Sequence, residues 1–335
     1  MLTQSTSQSI SPSSSFTHSW GEASVSKLPV NLFAMVMGLS GLSLAWRFAH
    51  GSLGAPALVG EAIGAFAVGV FVLMALGYLT KLAKYPEAVR AEFVHPVAGN
   101  FFGTIAISIL LLSAVVGPYS GAAAKAIWTL GVLATFALAF IAVSRLLKGQ
   151  TAASLAVPAW IIPCVATLDI PVTGGQMTMG WAAEINLLAG AIGAVMALVL
   201  FALIFSRLVH GDPHAPAMTP SLMILVAPFA VGFLAYSNIM GGVDRFAALL
   251  FYFALFMCVV VVPKMFRAGM KFSAGWWAIS FPLAALVNAA LKYAEFRAAG
   301  PLWFLAALLL GLVTLALAVL TLHTARAALN GKLFT

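Results

Sequence analysis

The residues of this sequence best suited to handling an ion lie in one stretch, Gly275 to Glu295, which is long enough to cross a bilayer. Pro282 stands in its middle, where proline removes a backbone donor and is expected to kink a helix. Phe281 places a bulky ring at that kink, and Asn288 is polar at membrane depth. These residues indicate the wall of a path through the membrane, with Phe281 and Pro282 as a gate. The alternative is a proline-kinked helix that serves only packing.

Ionisable side chains are nearly absent from the middle of the apolar stretches. Proton-driven carriers usually place Asp, Glu or His within the membrane to hold the proton. The ionisable side chains of this sequence instead lie near the ends of apolar stretches or in loops, as do Arg47, Glu61, Asp169, Glu184, Asp244 and Glu295. The sequence therefore favours passive permeation along a path lined by apolar groups and ring edges, which are partly positive.

Metal and cofactor chemistry have little support in the sequence. His210, Asp212 and His214 have the right ligand types, but they share a proline-containing loop with no further partner. Cys164 and Cys258 both fall inside apolar stretches, so neither a disulfide framework nor a metal site follows from them. We expect no metal and no cofactor.

The composition determines the class of protein. The chain has 335 residues, of which 62% are hydrophobic and 8% charged, and its mean hydropathy is +1.05. A soluble domain could not bury so much apolar surface. The net charge of +8 would suggest nucleic acid in a soluble protein, but here the charges lie in short connections between apolar stretches. We expect one integral membrane domain in contact with the lipid bilayer, and no nucleic-acid partner.

Hydropathy predicts an all-α membrane protein with ten spans. Residues 1–29 are polar and predicted to be a disordered cytoplasmic leader, 30–328 the ten-helix domain, and 329–335 a short cytoplasmic tail. The ten spans in order are Val30–Ala49, Ala57–Leu82, Val97–Val116, Ala122–Leu147, Leu155–Leu168, Trp181–Leu208, Pro220–Tyr236, Val243–Val262, Gly275–Glu295 and Leu302–Leu322.

Irregular residues alternate along these spans. Spans five, seven and nine contain proline, span one contains glycine and serine, and the even spans are regular through their middles. Irregular backbone is tolerated at depth where it lines a cavity or is buried in protein. We therefore predict five helical hairpins around a central pore, with the odd helices inside and interrupted by proline or glycine. The candidate pore-lining residues are Phe33, Gly38, Phe102, Pro158, Pro163, Pro228 and Asn288.

The basic residues predict the orientation. With ten spans and both termini in the cytoplasm, only five of the 17 Lys and Arg residues fall on the outer side. This excess on the inner side agrees with the positive-inside rule. The five outer residues are Arg47, Lys125, Arg245, Lys292 and Arg297.

Three groups of short motifs carry a resemblance to a known family. The first is His95-Pro96-Val97 followed by Asn100-Phe101-Phe102, and the second is Leu225-Val226-Ala227-Pro228. The third is Trp276-Trp277-Ala278-Ile279-Ser280-Phe281-Pro282 with Lys292-Tyr293-Ala294-Glu295. Because these motifs also occur in the family's order and on matching spans, the chain from about Leu28 onward resembles the tellurite-resistance/dicarboxylate transporter family. This family includes the plant guard-cell slow anion channels.

The resemblance implies ten helices arranged as five hairpins, one pore in each subunit and often a homotrimer. It also implies that a phenylalanine on the ninth helix blocks the pore, and Phe281 stands at the matching position. The plant channels have an arginine where this chain has Ala98. Their long phosphorylated tails have no counterpart in this sequence, which argues against kinase control.

Together the residues and the resemblance predict a channel or permease for small inorganic anions or dicarboxylates in the inner or plasma membrane. Two transport alternatives stay open: a coupled carrier of malate-like dicarboxylates, and an exporter of oxyanions such as sulfite or tellurite. A membrane-embedded enzyme is disfavoured because no nucleophile and base, and no set of metal ligands, recur on one helical face.

Overall fold

The computed structural model describes residues 25–149, 152–212, 215–267 and 272–331, and this part of the chain is helical with short connections. Most of the predicted leader and the last four residues lie outside these ranges. The α-helices are α1 Phe33–Leu53, α2 Ala57–Lys84, α3 Pro86–Val94, α4 Phe102–Val116, α5 Gly121–Leu147, α6 Ile161–Val165, α7 Asp169–Gly174, α8 Ala182–His210, α9 Ala227–Ile239, α10 Arg245–Arg267, α11 Ser280–Arg297 and α12 Gly300–Leu329.

Nine helical segments in the described ranges are long and apolar enough to cross a membrane. The predicted fifth span is a shorter apolar segment, Pro158–Gly174, which contains α6 and α7. The chain is thus an all-α, multi-pass membrane protein.

The membrane segments divide into two sets by burial. We call α1, α4, α6 with α7, α9 and α11 the buried set, and α2, α5, α8, α10 and α12 the exposed set. In the four long segments of the buried set, 56–78% of the most apolar window is buried, against 28–33% in the exposed set. The exposed set turns large apolar side chains outward, such as Leu73 and Leu133, as expected of helices that face lipid.

Each segment of the buried set begins with a 3₁₀ turn before its α-helix. The 3₁₀ stretches are Val30–Leu32, Ala98–Phe101, Pro158–Trp160, Pro216–Val226 and Ala274–Ile279. Pro228 and Pro282 then lie in the first turns of α9 and α11. Proline is tolerated in a first turn because the N–H it lacks would have no intrahelical partner there. The irregular backbone of span nine is therefore the 3₁₀ stretch before Pro282. The sequence had predicted a kink in the middle of the helix at Pro282, and that prediction is wrong.

The fifth span extends further than the sequence predicted. Pro163 and Pro171 lie in the first turns of α6 and α7, so the helical path continues past Leu168 to Gly174. The predicted end at Leu168 is wrong, because each proline falls where a new short helix begins. The longer span includes Asp169.

The first span is also different from its prediction, since α1 is a continuous α-helix through its glycines and serines. The glycines allow α11 to approach closely. A Cβ on Gly38 would overlap the side chain of Ser280, and one on Gly41 would lie 2.9 Å from Cβ of Ala284. Glycine in this span is thus a packing device and does not interrupt the helix.

Contacts between helices follow two patterns. Consecutive segments pack together: α1 with α2, α4 with α5, α6 and α7 with α8, α9 with α10, and α11 with α12. Within the buried set, α1 contacts α4, α4 contacts α7, α7 contacts α9, α9 contacts α11, and α11 contacts α1.

Candidate functional site

Two cavities lie between the helices of the buried set. A large cavity of about 1050 Å³ lies among the C-terminal halves of these helices. A small, largely apolar cavity of about 40 Å³ lies among their N-terminal halves. Asp169, Val231 and Phe281 line both cavities, so these three side chains form the boundary between them.

Phe281 occupies the first turn of α11, and 8% of its surface is exposed. Its predicted partner, Pro282, lines the small cavity. The start of α11 is fixed by Ser280, whose hydroxyl lies 3.0 Å from the Ala34 carbonyl oxygen and 2.7 Å from that of Trp277. The aromatic ring at the boundary is therefore anchored to α1 through its neighbour in the chain.

Trp277 is buried in the 3₁₀ stretch that precedes α11. Its ring is fully buried, and Nε1 donates a hydrogen bond of 2.8 Å to Oγ1 of Thr324 on α12. A buried indole needs such a partner for its N–H group. Trp277 thus joins the start of α11 to the exposed set.

Asn288 lines the large cavity and also joins two helices. Its Nδ2 donates to the carbonyl oxygens of Gly41 at 2.9 Å and Ala284 at 2.8 Å. The close approach of α1 and α11 at their glycines makes the first of these bonds possible.

Three basic side chains line the large cavity: Arg47, Lys125 and Lys292. Arg47 makes a bidentate ion pair with Glu61, with N–O distances of 2.9 and 2.7 Å, and donates to the Val115 carbonyl oxygen at 2.8 Å. Tyr119, in the connection after α4, also donates a hydrogen bond to Glu61. That bond stabilises the neutral phenol and raises the pKa of Tyr119.

Lys292 has a different environment from Arg47. Its Nζ lies 2.6 Å from Oδ1 of Asn238, and it makes no ion pair with a carboxylate in the described ranges. Nδ2 of Asn238 in turn donates to the carbonyl oxygens of Pro171 at 3.1 Å and Val172 at 2.9 Å. These bonds link the ammonium group on α11 to α7, the helix that carries Asp169.

Asp169 is the site residue that the sequence analysis missed. Its side chain is 2% exposed, it lines both cavities, and Oδ1 has no hydrogen-bond partner among the described residues. The expectation that ionisable groups stay near span ends is therefore wrong for Asp169. The available signal was an acidic residue within an apolar run between Pro163 and Pro171, and the early predicted end of span five hid it.

The other predicted pore-lining residues lie elsewhere. Phe33 is buried against the rings of Phe71 and Tyr78 on α2, and Gly38 contacts Ser280. Phe102, Pro158 and Pro228 are outside the linings of both cavities, and Pro163 lines a third cavity of about 90 Å³. The prediction had assigned these residues by span, but within a span only one face meets the cavity.

His95 has a structural part near the third cavity. Its Nδ1 accepts hydrogen bonds from the backbone N–H groups of Val97 at 3.1 Å and Ala98 at 3.0 Å. His95 therefore caps the turn that leads from α3 into the following 3₁₀ stretch. The described ranges contain no cluster of three or more side chains able to hold a metal ion.

Comparison with known proteins adds independent information. Residues 27–325 match the family model described as voltage-dependent anion channel. The guard cell S-type anion channel SLAC1 of Arabidopsis thaliana is 26% identical over 281 residues, which cover 80% of this chain and 50% of that protein. The S-type anion channel SLAH2 of the same plant is 26% identical over 92% of this chain and 61% of its own length.

A bacterial relative matches over most of both chains. The tellurite resistance protein TehA homolog of Haemophilus influenzae is 27% identical over 271 residues, covering 79% of this chain and 81% of the relative. The chain thus spans about half to three fifths of the plant proteins but most of the bacterial one.

Proposed function

The chain belongs to the voltage-dependent anion channel family, and from that premise we propose that it is an anion channel or permease whose path is occluded by Phe281. It is a multi-pass integral membrane protein, and we place it in the inner or plasma membrane. The family is one of anion channels, so we propose no enzymatic activity.

The observation that carries the proposal is the position of Phe281 between the two cavities. The ring lines both, and the volume falls from about 1050 Å³ on one side to about 40 Å³ on the other. A ring at such a step blocks an ion's path by sterics and by excluding water. Rotation of the ring, aided by the 3₁₀-to-α transition before Pro282, would connect the cavities.

The helix contacts support five hairpins around one pore. Each helix of the exposed set packs on the preceding segment of the buried set, and the contacts within the buried set return from α11 to α1. With the short fifth segment counted as a span, the ten spans put both termini on the same side, and the excess of basic residues supports the cytoplasmic side. Family resemblance is the basis for proposing a homotrimer.

The charge of the large cavity supports anions as the permeant species. Arg47, Lys125 and Lys292 line it, and among the described residues only Arg47 of these three is paired with a carboxylate. A cavity with excess positive charge raises the local concentration of anions. Among the described residues that line both cavities with Phe281, Asp169 is the one ionisable side chain, and this does not make a ring of charges. We therefore expect weak selection among small inorganic anions and dicarboxylates.

The first experiment measures currents across planar bilayers containing the purified protein, with chloride, nitrate and malate in turn. Phe281→Ala should raise the anion conductance by at least about tenfold, because it removes the ring that separates the cavities. Phe33→Ala is the matched control, since it truncates a buried phenylalanine of α1 that lies outside both linings. Phe281→Leu, a milder truncation, should give an intermediate conductance.

Folding is checked by size-exclusion chromatography and thermal unfolding in detergent. Equal conductance of wild type, Phe281→Ala and Phe33→Ala in folded protein would refute the gate. An equal rise in both alanine variants would show that any loss of aromatic packing opens the path.

A coupled carrier of dicarboxylates is the second candidate, and the buried Asp169 is the observation that favours it, since carriers hold protons on such groups. Vesicles with an imposed pH gradient distinguish the two. Uphill accumulation of malate would favour the carrier, whereas flux that only follows the anion's own gradient favours the channel. Sulfite and tellurite, tested in the same vesicles, address export of oxyanions.

A further inference from the structure

We propose that Asp169 is a proton-binding site at the boundary between the cavities, and that anions pass this point while its carboxyl is neutral and donates a hydrogen bond to them. This proposal rests on the proposed anion path and adds a residue that determines when the path conducts.

The position of Asp169 is held through its backbone. Its carbonyl oxygen accepts a hydrogen bond of 2.8 Å from Oγ1 of Thr173, and the following turn is held by Nδ2 of Asn238. The carboxyl lines both cavities, and its Oδ1 has no hydrogen-bond partner in the described ranges. A buried polar group without a protein partner is costly, so the cavity contents are its natural partner.

The two protonation states offer opposite interactions to an anion. A neutral carboxyl has an O–H group that donates a hydrogen bond, whereas an ionised carboxylate can only accept. The ionised form also places a negative charge at the narrowest part of the path, where repulsion is weakly screened. Protonation therefore converts a barrier into a donor without moving the backbone.

In the part of the chain that the structure describes, no ion pair joins a basic side chain to Asp169. Among the helices that contact α7, which are α4, α5, α8 and α9, Lys125 is the ionisable residue that lines a shared cavity. The other titratable residues of these helices, Arg145, Glu184, Arg207, His210 and Tyr236, are outside both linings. Across the large cavity, Arg47 is engaged by Glu61 and Lys292 by Asn238.

The experiment compares chloride currents as a function of pH in the Phe281→Ala background, where the path is expected to be open. Between about pH 4 and pH 9, a range that spans perturbed carboxyl groups, the current with Asp169 should fall roughly 10- to 100-fold as pH rises. Asp169→Asn, which keeps the shape and a hydrogen-bond donor, should conduct at the acidic level at every pH. Asp169→Glu should retain a pH dependence with a shifted midpoint.

The same pH dependence in Asp169→Asn as in its parent would overturn the proposal, and so would a parent current that does not change with pH. If Phe281→Ala passes no current, the proposed anion path fails, and the proton site is then tested by infrared spectroscopy of the wild-type protein. A protonated-carboxyl band that disappears as pH rises, and that Asp169→Asn lacks, supports the site. Identical spectra of wild type and Asp169→Asn at every pH overturn it.

Discussion

The helices of the buried set and of the exposed set are similar in composition but differ in their surroundings and in the regularity of their backbone. The exposed helices are α-helical throughout and turn large apolar side chains outward, whereas the buried segments begin with 3₁₀ turns and carry the prolines of α6, α7, α9 and α11. Lipid cannot satisfy a free backbone group, so a lipid-facing helix has to be regular. Among the described membrane segments, 3₁₀ backbone occurs in the buried set, where the cavities and the side chains that line them lie, and Pro263 of the exposed set falls near the end of α10.

The largest expected effect contrasts a glycine from each set. Gly38→Ala in α1 places a Cβ against Ser280, so we expect the free energy of unfolding to fall by about 1–3 kcal/mol. Gly69→Ala in α2 meets open space, and replacement of a helical glycine there should be neutral or stabilising by up to about 1 kcal/mol. Unfolding in detergent with added denaturant measures both.

A loss of stability in Gly69→Ala as large as that in Gly38→Ala would show that close packing is not restricted to the buried set. Gly41→Ala tests the same contact one turn further along, against Ala284. We expect it to be destabilising as well.

The next effect contrasts two lysines that line the same large cavity. Lys292 on α11 is partly buried and hydrogen-bonded to Asn238, whereas Lys125 on α5 is exposed. In the Phe281→Ala background, Lys292→Gln should lower chloride conductance by about 3- to 10-fold, because a charge away from water is weakly screened. Lys125→Gln should lower it by less than about twofold at physiological salt.

Salt concentration sharpens this contrast. The effect of Lys125→Gln should grow at about 0.01 M salt, where the Debye length is near 30 Å, while that of Lys292→Gln should change less. If Lys125→Gln and Lys292→Gln lose equal fractions of the chloride conductance at both salt concentrations, the depth of a charge in the cavity does not determine its contribution to conductance.

The smallest effect concerns how a helix begins. In the described ranges, no helix of the buried set has a side chain that caps its N-terminus. In the exposed set, Asp244 precedes α10, and its Oδ1 accepts a hydrogen bond of 2.9 Å from the Ala247 N–H group. Hydrogen bonds from the Tyr236 hydroxyl and that N–H lower the pKa of Asp244. Because its pKa is lower in the folded protein, the ionised Asp244 stabilises the fold at pH values above its ordinary pKa of about 4. This contribution is lost as the pH falls through the lowered pKa.

Thermal unfolding between about pH 3 and pH 7 checks this prediction. Wild type should lose slightly more stability on acidification than Asp244→Asn, which keeps an acceptor for the cap but carries no charge. A larger acid-induced loss in Asp244→Asn would reverse the sign and refute the assignment.

The sequence predicted much of the fold but less of the candidate site. Eight of the nine long segments in the described ranges begin and end within a few residues of their predicted bounds. Pro228, Pro282 and Phe281 marked segments that belong to the buried set. The predicted span five ended at Leu168, before Pro171, which lies in the first turn of a new short helix, and so Asp169 was placed outside the span. Phe33 and Phe102 were assigned to the pore although their rings contact Tyr78 of the exposed set.

By itself the sequence determined the class of protein, the approximate membrane segments and the helix that carries the ring at the boundary. These follow from hydropathy and from the backbone of proline, which are properties of neighbouring residues. The tertiary structure decided which face of each helix meets a cavity, that Asn238 joins Lys292 to α7, and that Oδ1 of Asp169 is buried without a hydrogen-bond partner among the described residues. Those features depend on contacts between residues far apart in the chain; the local pattern around Asp169 could mark it as unusual but could not show what surrounds its carboxyl.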